Sequence, residues 1–290
     1  EIGRELGVEY LVEGMIRAES DRLRVTTTLI RVDDQEHVWS QRYEREITSA
    51  LALQDVSAAI ASQIRARLSP DAAGVAVNRQ TAVPEAYDAY LRGRFFQSRR
   101  TPEANRQAVE AYRRAITLDP NYALAWASLA FTYAASVLNA DACPADVGPP
   151  ARDASARALR ANPELAEAQS VAGYVNWVFD WDWPEAERRL RLATRLDPGA
   201  AVLYRSLGHI VSQAGRDAEA EAAMTRSTEL DALDPVSHAL WAQVSFQGGD
   251  AAAAIRHARQ AILIDPTLWM GHMELGQAYA LDGQADLALE

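Results

Sequence analysis

The residues able to do chemistry in this chain are few and poorly arranged for it. The histidines are His37, His209, His238, His257 and His272, and none sits in an HExxH or other metal-ligand spacing. His238 and His272 stand 34 positions apart, so they repeat one place in a structure and do not converge on a point. Cys143 is the lone cysteine, which excludes an internal disulfide and leaves any other role for it open. Asp180 and Asp182 alternate with Trp181 and Trp183, but two carboxylates alone are too few oxygen ligands for a metal. All 29 basic residues are arginine. With no lysine there is no P-loop lysine, no Schiff-base lysine and no kinase-type nucleotide lysine. No G-x-S-x-G elbow or G-x-G-x-x-G turn occurs either. The expectation is a stretch without catalytic residues, cofactor or metal.

A second candidate is the run Arg92, Arg94, Phe95, Phe96, Arg99 and Arg100, where bases could stack on the aromatics beside the cations. The net charge of −11 opposes this, since an acidic surface repels phosphates. The favoured reading is that the phenylalanines face a core while the arginines are solvated or paired, with no direct nucleic acid binding. No apolar run approaches the ~18 residues of a membrane span, and no signal peptide is visible, so no membrane insertion is expected.

The elements that must position these residues differ along the chain. Tyr10–Glu19, Leu23–Val32 and His37–Glu46 read as strands, rich in β-branched and aromatic residues. Polar turns at Glu19–Arg22 and Asp33–Glu36 separate them and suit an antiparallel meander. Ile2–Leu6 reads as a helix end closed by Gly7. Thr48 can cap a helix in which Leu53, Val56, Ile60, Ile64 and Leu68 recur at helical spacing. So small a sheet buries little, so further strands are expected upstream of Glu1. The segment 70–83 is the best linker.

From about residue 84 a period replaces the strands. Pro198 and Pro266 are 68 residues apart, twice 34, and similar Asp-Pro or Asn-Pro closings fall at Pro120 and Pro163. Trp126-x-x-Leu129-Ala130-x-x-Tyr133 returns as Tyr204-x-x-Leu207-Gly208 and as His272-x-x-Leu275-Gly276-x-x-Tyr279. Ala108/Tyr112, Ala186/Leu190, Ala220/Met224 and Ala254/Ala258 repeat a second half. This resembles the tetratricopeptide repeat, a helix–turn–helix unit. Small residues let paired helices approach and large ones fill the seam between units. About five repeats and a truncated sixth should occupy 84–290, with a longer connection around Cys143–Pro150. The fold class is therefore mainly α, an α-solenoid preceded by a small partial α+β domain at 1–69.

Within that frame FDWDWPEAERRL is a helix start. Asp182 and Glu185 have capping-box spacing, Pro184 fits the first turn, and Trp181 and Trp183 should pack between helices. The concave face of a solenoid commonly receives a peptide. Phasing by the motif puts Tyr174, Arg205, His209, Gln213, Gln243, Gln247, Met273 and Gln277 there. Amides and a guanidinium suit main-chain and carboxylate recognition. The lysine and asparagine set of a chaperone-binding carboxylate clamp is missing. A groove that is polar only because water fills it is the alternative.

GRELGVEYLVEGMIR, LRVTTTLIRVDDQEHVWSQRYERE and ALALQDVSAAIA resemble the second half of the TolB-like amino-terminal domain of bacterial signalling proteins. PEAYDAYLRGRFFQSRRTPE, AITLDPNYALAWASLAFTY and DWDWPEAERRL resemble the repeats that follow it. The resemblance implies a position carboxy-terminal to a class III adenylate or guanylate cyclase, a CadC-type winged-helix domain or a kinase. It implies a non-catalytic regulatory and protein-interaction module, here a fragment of a longer chain. A free-standing adaptor is the other option. A protein or peptide partner is expected, with homodimerisation left open. The expected compartment is the cytoplasm, or the periplasm if a membrane span lies upstream.

Overall fold

The computed structural model describes residues 3, 7–19, 22–46, 50–68 and 81–289. They divide into two compact units: Glu1–Ser98 with Glu110–Asn121, and Arg99–Val109 with Tyr122–Glu290.

In the first unit, β1 (Tyr10–Glu19), β2 (Arg22–Arg31) and β3 (His37–Glu46) form an antiparallel meander in the order β1-β2-β3. Alternation along β2 sends Leu23, Val25, Thr27 and Leu29 to one buried face. Helix α1 (Ala50–Leu68) covers that face, with Val56 buried and Ile60 and Ile64 packed beside Trp39 and Tyr43. Leu68, expected in that stripe, is exposed. Thr48, the Leu53 side chain and most of Ile2–Leu6 and of the 70–83 linker lie outside the described residues. Gly7 has φ +64, the left-handed conformation expected after a helix end. In the turn before β3, Arg31 binds both Asp34 and Glu36, at 2.9 and 2.8 Å. Farther on, α2 (Pro84–Gln97) lays Gly93 on the Tyr112 ring so closely that a β-carbon there would come within 2.4 Å. Tyr112 belongs to α3 (Pro102–Leu118) and is fully buried.

The second unit is a series of antiparallel helix pairs. After α4 (Ala123–Leu138) and α5 (Pro144–Ala161) come α6 (Ala166–Val175) and α7 (Trp183–Leu196). Then follow α8 (Ala201–Gln213) with α9 (Asp217–Leu230), and α10 (Pro235–Gln247) with α11 (Ala251–Ile264). Last are α12 (Trp269–Leu281) and the short α13 (Ala285–Ala288). Each helix packs on its pair, and α4, α6, α8, α10 and α12 pack in succession on one another. The periodic residues explain why. Ala186, Leu190, Ala220, Met224, Ala254 and Ala258 are all at 0% exposure. A β-carbon at Gly208 would sit 3.2 Å from the Ala220 carbonyl, and one at Gly173 3.0 Å from that of Ala186, so glycine permits the close crossing. His238 and His272, 34 apart, make the same contact: each Nε2 meets a carbonyl six residues earlier, Ala232 at 3.1 Å and Pro266 at 3.0 Å.

Four local expectations need correction. The predicted loop at Cys143–Pro150 is the start of α5: Cys143 precedes its first turn, Pro144 opens it, and Pro149 and Pro150 lie inside. The two internal prolines remove donors from the Ala145 and Asp146 carbonyls without ending the helix. The capping box at Asp182 is only half made. Asp182 Oδ1 accepts from the Glu185 amide at 3.1 Å, but its own amide donates to the Asn176 carbonyl, and Glu185 turns to Arg188 and Arg189. Trp181 does not pack between helices; it is 73% exposed in the left-handed conformation that ends the preceding turn, while Trp183 does join the core. Asp180 is held by Arg152 at 2.7 Å. Finally, Leu275 is only half-buried.

Candidate functional site

On α8, Arg205, His209 and Gln213 are spaced by four and share one face, as do Gln243 and Gln247 on α10. The helices are neighbours, and the Gln213 side-chain amide donates to Gln247 Oε1 at 3.1 Å. Two of the expected site residues are thus directly joined. Arg205 forms an ion pair with Asp234, the residue that caps α10 by accepting from the Val236 amide at 3.2 Å. Asp234 also accepts from Ser237 Oγ at 2.6 Å. The carboxylate is held below its usual range: burial alone would raise it, but Arg205, Ser237 and the Val236 amide together outweigh that. With side-chain exposures of 15% and 17%, this pair couples successive repeats more than it samples water. Arg100 lies within electrostatic range of Arg205, Asp234 and Asp265. Its half-buried guanidinium is pushed below its ordinary value, first by burial and then by Arg205.

His209 sits at the centre. Its ring meets Trp177 edge-on at 5.0 Å, and its enclosed Nδ1 is shut off from water. Burial, with Arg205 next, pushes the imidazole down to about 4, and a side-chain hydrogen bond with Gln243 opposes them. His209 is therefore a neutral acceptor or donor at neutral pH, not a cation. Gln243 Oε1 is likewise enclosed, beside the imidazole.

The other expected groove residues fare differently. Tyr174 is only 6% exposed; its ring is wedged between Phe131 at 5.6 Å and Trp177 at 5.8 Å, so it supports the face from behind. Burial pushes the Tyr174 hydroxyl up. Met273 is exposed and Gln277 half-buried on α12. In the first unit, Phe95 is 54% exposed, contrary to the expected core position, and lines a hollow of about 490 Å³ with Asp88, Leu91, Arg92 and Phe96.

Sequence reasoning missed three contributors. Trp177 reaches His209 because Asn176–Asp180 form one π-helical turn, a local widening invisible to a 3.6-residue pattern. Asp234 reads as a helix cap, and its second role follows only from the packing of α8 on α10. Glu274, at 1% exposure, has both carboxylate oxygens unpartnered. Burial alone raises it to about 7. Its signal was present: Leu240 and Ser206 occupy the same place one and two repeats earlier, at spacings of 34. Among the described residues no group of three or more His, Cys, Asp or Glu could hold a metal ion, and no helix is long and apolar enough to cross a membrane.

Stacked helix pairs with this period define an α-solenoid of the tetratricopeptide type. No family model matches the chain. Among solved structures it is similar to PilW, a type IV pilus biogenesis factor, with 19% identity, TM-score 0.53, and coverage of 70% of this chain and 89% of that one. It is also similar to a thermophilic TPR protein of Thermus thermophilus, with 16% identity, TM-score 0.54, and coverage of 70% and 98%. The APC/C hetero-tetramer Cut9-Hcn1 gives 17% identity, TM-score 0.52, and coverage of 73% and 46%. These likenesses establish the fold. In sequence, a putative adenylate cyclase 3 of Rhizobium meliloti (strain 1021) is 30% identical over 139 residues, 48% of this chain. The match spans 24% of that protein's length.

Proposed function

We propose that this chain is a non-catalytic protein-interaction module of a bacterial signalling protein, capturing a protein or peptide on the inner face of its solenoid. The observation that carries the reading is the convergence of Arg205, His209, Gln213, Gln243 and Gln247 on neighbouring first helices. Their polar groups are held by packing, and a peptide main chain could satisfy those left unpaired. The solenoid likeness to TPR proteins, one of them within an assembly, supports it. Residues 1–69 would be a partial TolB-like domain and 70–83 a linker to repeats at 84–290, in the cytoplasm. The test is panning of a phage-displayed peptide library against the protein and against an Arg205→Ala, Gln243→Ala double variant. Peptides retained by the first and lost by the second support the face; equal retention removes it.

The likeness to a putative adenylate cyclase favours a more specific reading, in which the module regulates a nucleotide cyclase encoded in the same gene. A ligand would then shift the output only by its differential affinity for two solenoid states. Sequencing the parent gene and assaying ATP turnover of its product, with and without a captured peptide, tests this. A winged-helix neighbour, or none, would turn the reading toward transcription or toward an adaptor.

A further inference from the structure

Among the described residues the sheet ends on β1, whose second edge has no strand beside it. The Val32 amide donates to the Glu9 carbonyl at 2.9 Å, so in this register odd residues of β1 turn their peptide groups to β2 and even ones turn theirs outward. Val12, Gly14, Ile16 and Ala18 therefore present a row of N–H and C=O groups able to pair with another strand. The side chains do not guard this edge. Val12 and Ile16 point to the face that α1 covers over β2 and β3, yet they are 52% and 69% exposed and stand outside its core. Met15, on the opposite face, is exposed as well. β1 contains neither proline nor lysine, the usual protectors of an edge. The other edge strand differs: β3 exposes Ser40, Gln41, Arg42 and Glu44, all of them polar.

We infer that β1 pairs antiparallel with β1 of a second copy of this chain, about a two-fold axis at Met15. Charge selects both the partner and the register. Glu13 and Arg17 are exposed on one face of the strand, and neither has an ion-pair partner among the described residues. Four residues apart on an extended strand, they are too distant to meet each other. Arg17 also stands opposite Arg24 of β2, an unfavourable like-charge neighbour. An axis at Met15 sets Glu13 of each copy opposite Arg17 of the other, on the side away from Arg24. An axis one residue away leaves these charges unmatched, and one two residues away opposes Glu13 to Glu13 or Arg17 to Arg17. The same register joins Val12 to Ala18 and Gly14 to Ile16, the residues whose peptide groups face outward. Ile16 then lies beside Gly14 of the other copy, where a β-carbon would meet nothing within 4 Å. Both α1 helices fall on one face of the continuous sheet, and Val12 and Ile16 of the two copies fill the strip between them. The two-fold uses up both β1 edges, so the pairing closes at a dimer.

The test is sedimentation equilibrium of the 290-residue chain, with a charge swap across the axis. One strand edge buries less than a standard interface, so the dimer should grow in between about 5 and 500 μM. Glu13→Arg and Arg17→Glu each oppose like charges twice per dimer and should each weaken association about tenfold or more. The net charge of −11 shrinks in the first variant and grows in the second, so general repulsion predicts opposite effects where the pairing predicts loss from both. Mixed in equal amounts, the two variants should associate again, because every altered position then meets its opposite; that recovery also shows that both are folded. Amide exchange at Val12, Gly14 and Ile16 should slow as the dimer forms, while Glu13 and Met15, bonded to β2, stay protected throughout. A chain that remains monomeric, variants that associate like the wild type, or a mixture no stronger than its parts would overturn the inference. Protection of Gly14 and Ile16 in a monomer would overturn it too, by showing another segment on that edge.

Discussion

Glu274 should make the protein less stable as the solution becomes less acidic, and the size of that loss follows from its surroundings. Its carboxyl is 1% exposed, its oxygens are unpartnered, and burial raises it from 4.5 to about 7. A folded-state value above the unfolded one means that the native protein holds the proton more tightly. The contribution to stability is therefore full below about pH 4.5 and is lost as pH rises through 7. A displacement of this size corresponds to about 3 kcal/mol. Glu274→Gln keeps the shape and removes the titration, so subtracting the two stability–pH curves cancels every other group. The wild-type protein should lose about 3 kcal/mol relative to the variant between pH 4.5 and 8. Hydrogen exchange of the α12 amides is the assay, because repeats unfold with their neighbours and a terminal one can open by itself. Parallel curves across that range would refute the reasoning, since they would mean the carboxylate is solvated or paired in solution. Glu274→Leu should go further and stabilise α12 most at pH 8, as Leu240 already packs in the equivalent place.

His209 carries the opposite sign: lowered to about 4 by burial and Arg205, it contributes stability that is present above about pH 6.5 and lost as pH falls toward 4. His209→Gln should flatten that acid limb, and an unchanged acid midpoint would count against its burial. Met224→Ala, which empties a fully buried seam between helix pairs, should destabilise by about 2–5 kcal/mol in denaturant titration. Asp182→Ala should cost about 1 kcal/mol through the lost cap on α7, whereas Trp181→Ala, in water, should leave the melting midpoint within error.

What the sequence could show was the set of positions where one residue type has one physical reason. Ala186, Ala220 and Ala254 must be small because a helix crosses there, so they recur at 34 and all are fully buried. The strands were legible for the same reason, since β2 alternates between a buried and a wetter face. The aspartate before Trp183 was legible as a cap because its partner is only three residues away. The misses involve competition between local rules. Pro149 and Pro150 read as a loop, yet two lost hydrogen bonds are outweighed by the packing of α5 on α4. Phe95 and Trp181 read as core because they are large, but size does not tell which side of a turn a ring falls on. Of the binding face, the spacing of Arg205, His209 and Gln213 was plain, while the partner of Arg205 depends on which helices become neighbours.

The π-helical turn at Asn176–Asp180 has an outcome for how such a chain tolerates change. Gly173 and Ala186 are 13 residues apart, whereas Gly208 and Ala220, like Gly276 and Ala288, are 12 apart. One surplus residue has entered the α6–α7 pair, and the widened turn absorbs it before α7 begins. The phase slip is erased within a single turn, so α8 to α12 keep their 34-residue rhythm. Deleting one residue from this turn should therefore restore an ordinary helix end and leave the later repeats in register, while withdrawing Trp177 from His209. Length is negotiable at this point of the solenoid; the aromatic wall behind the inner face is what the extra residue supplies.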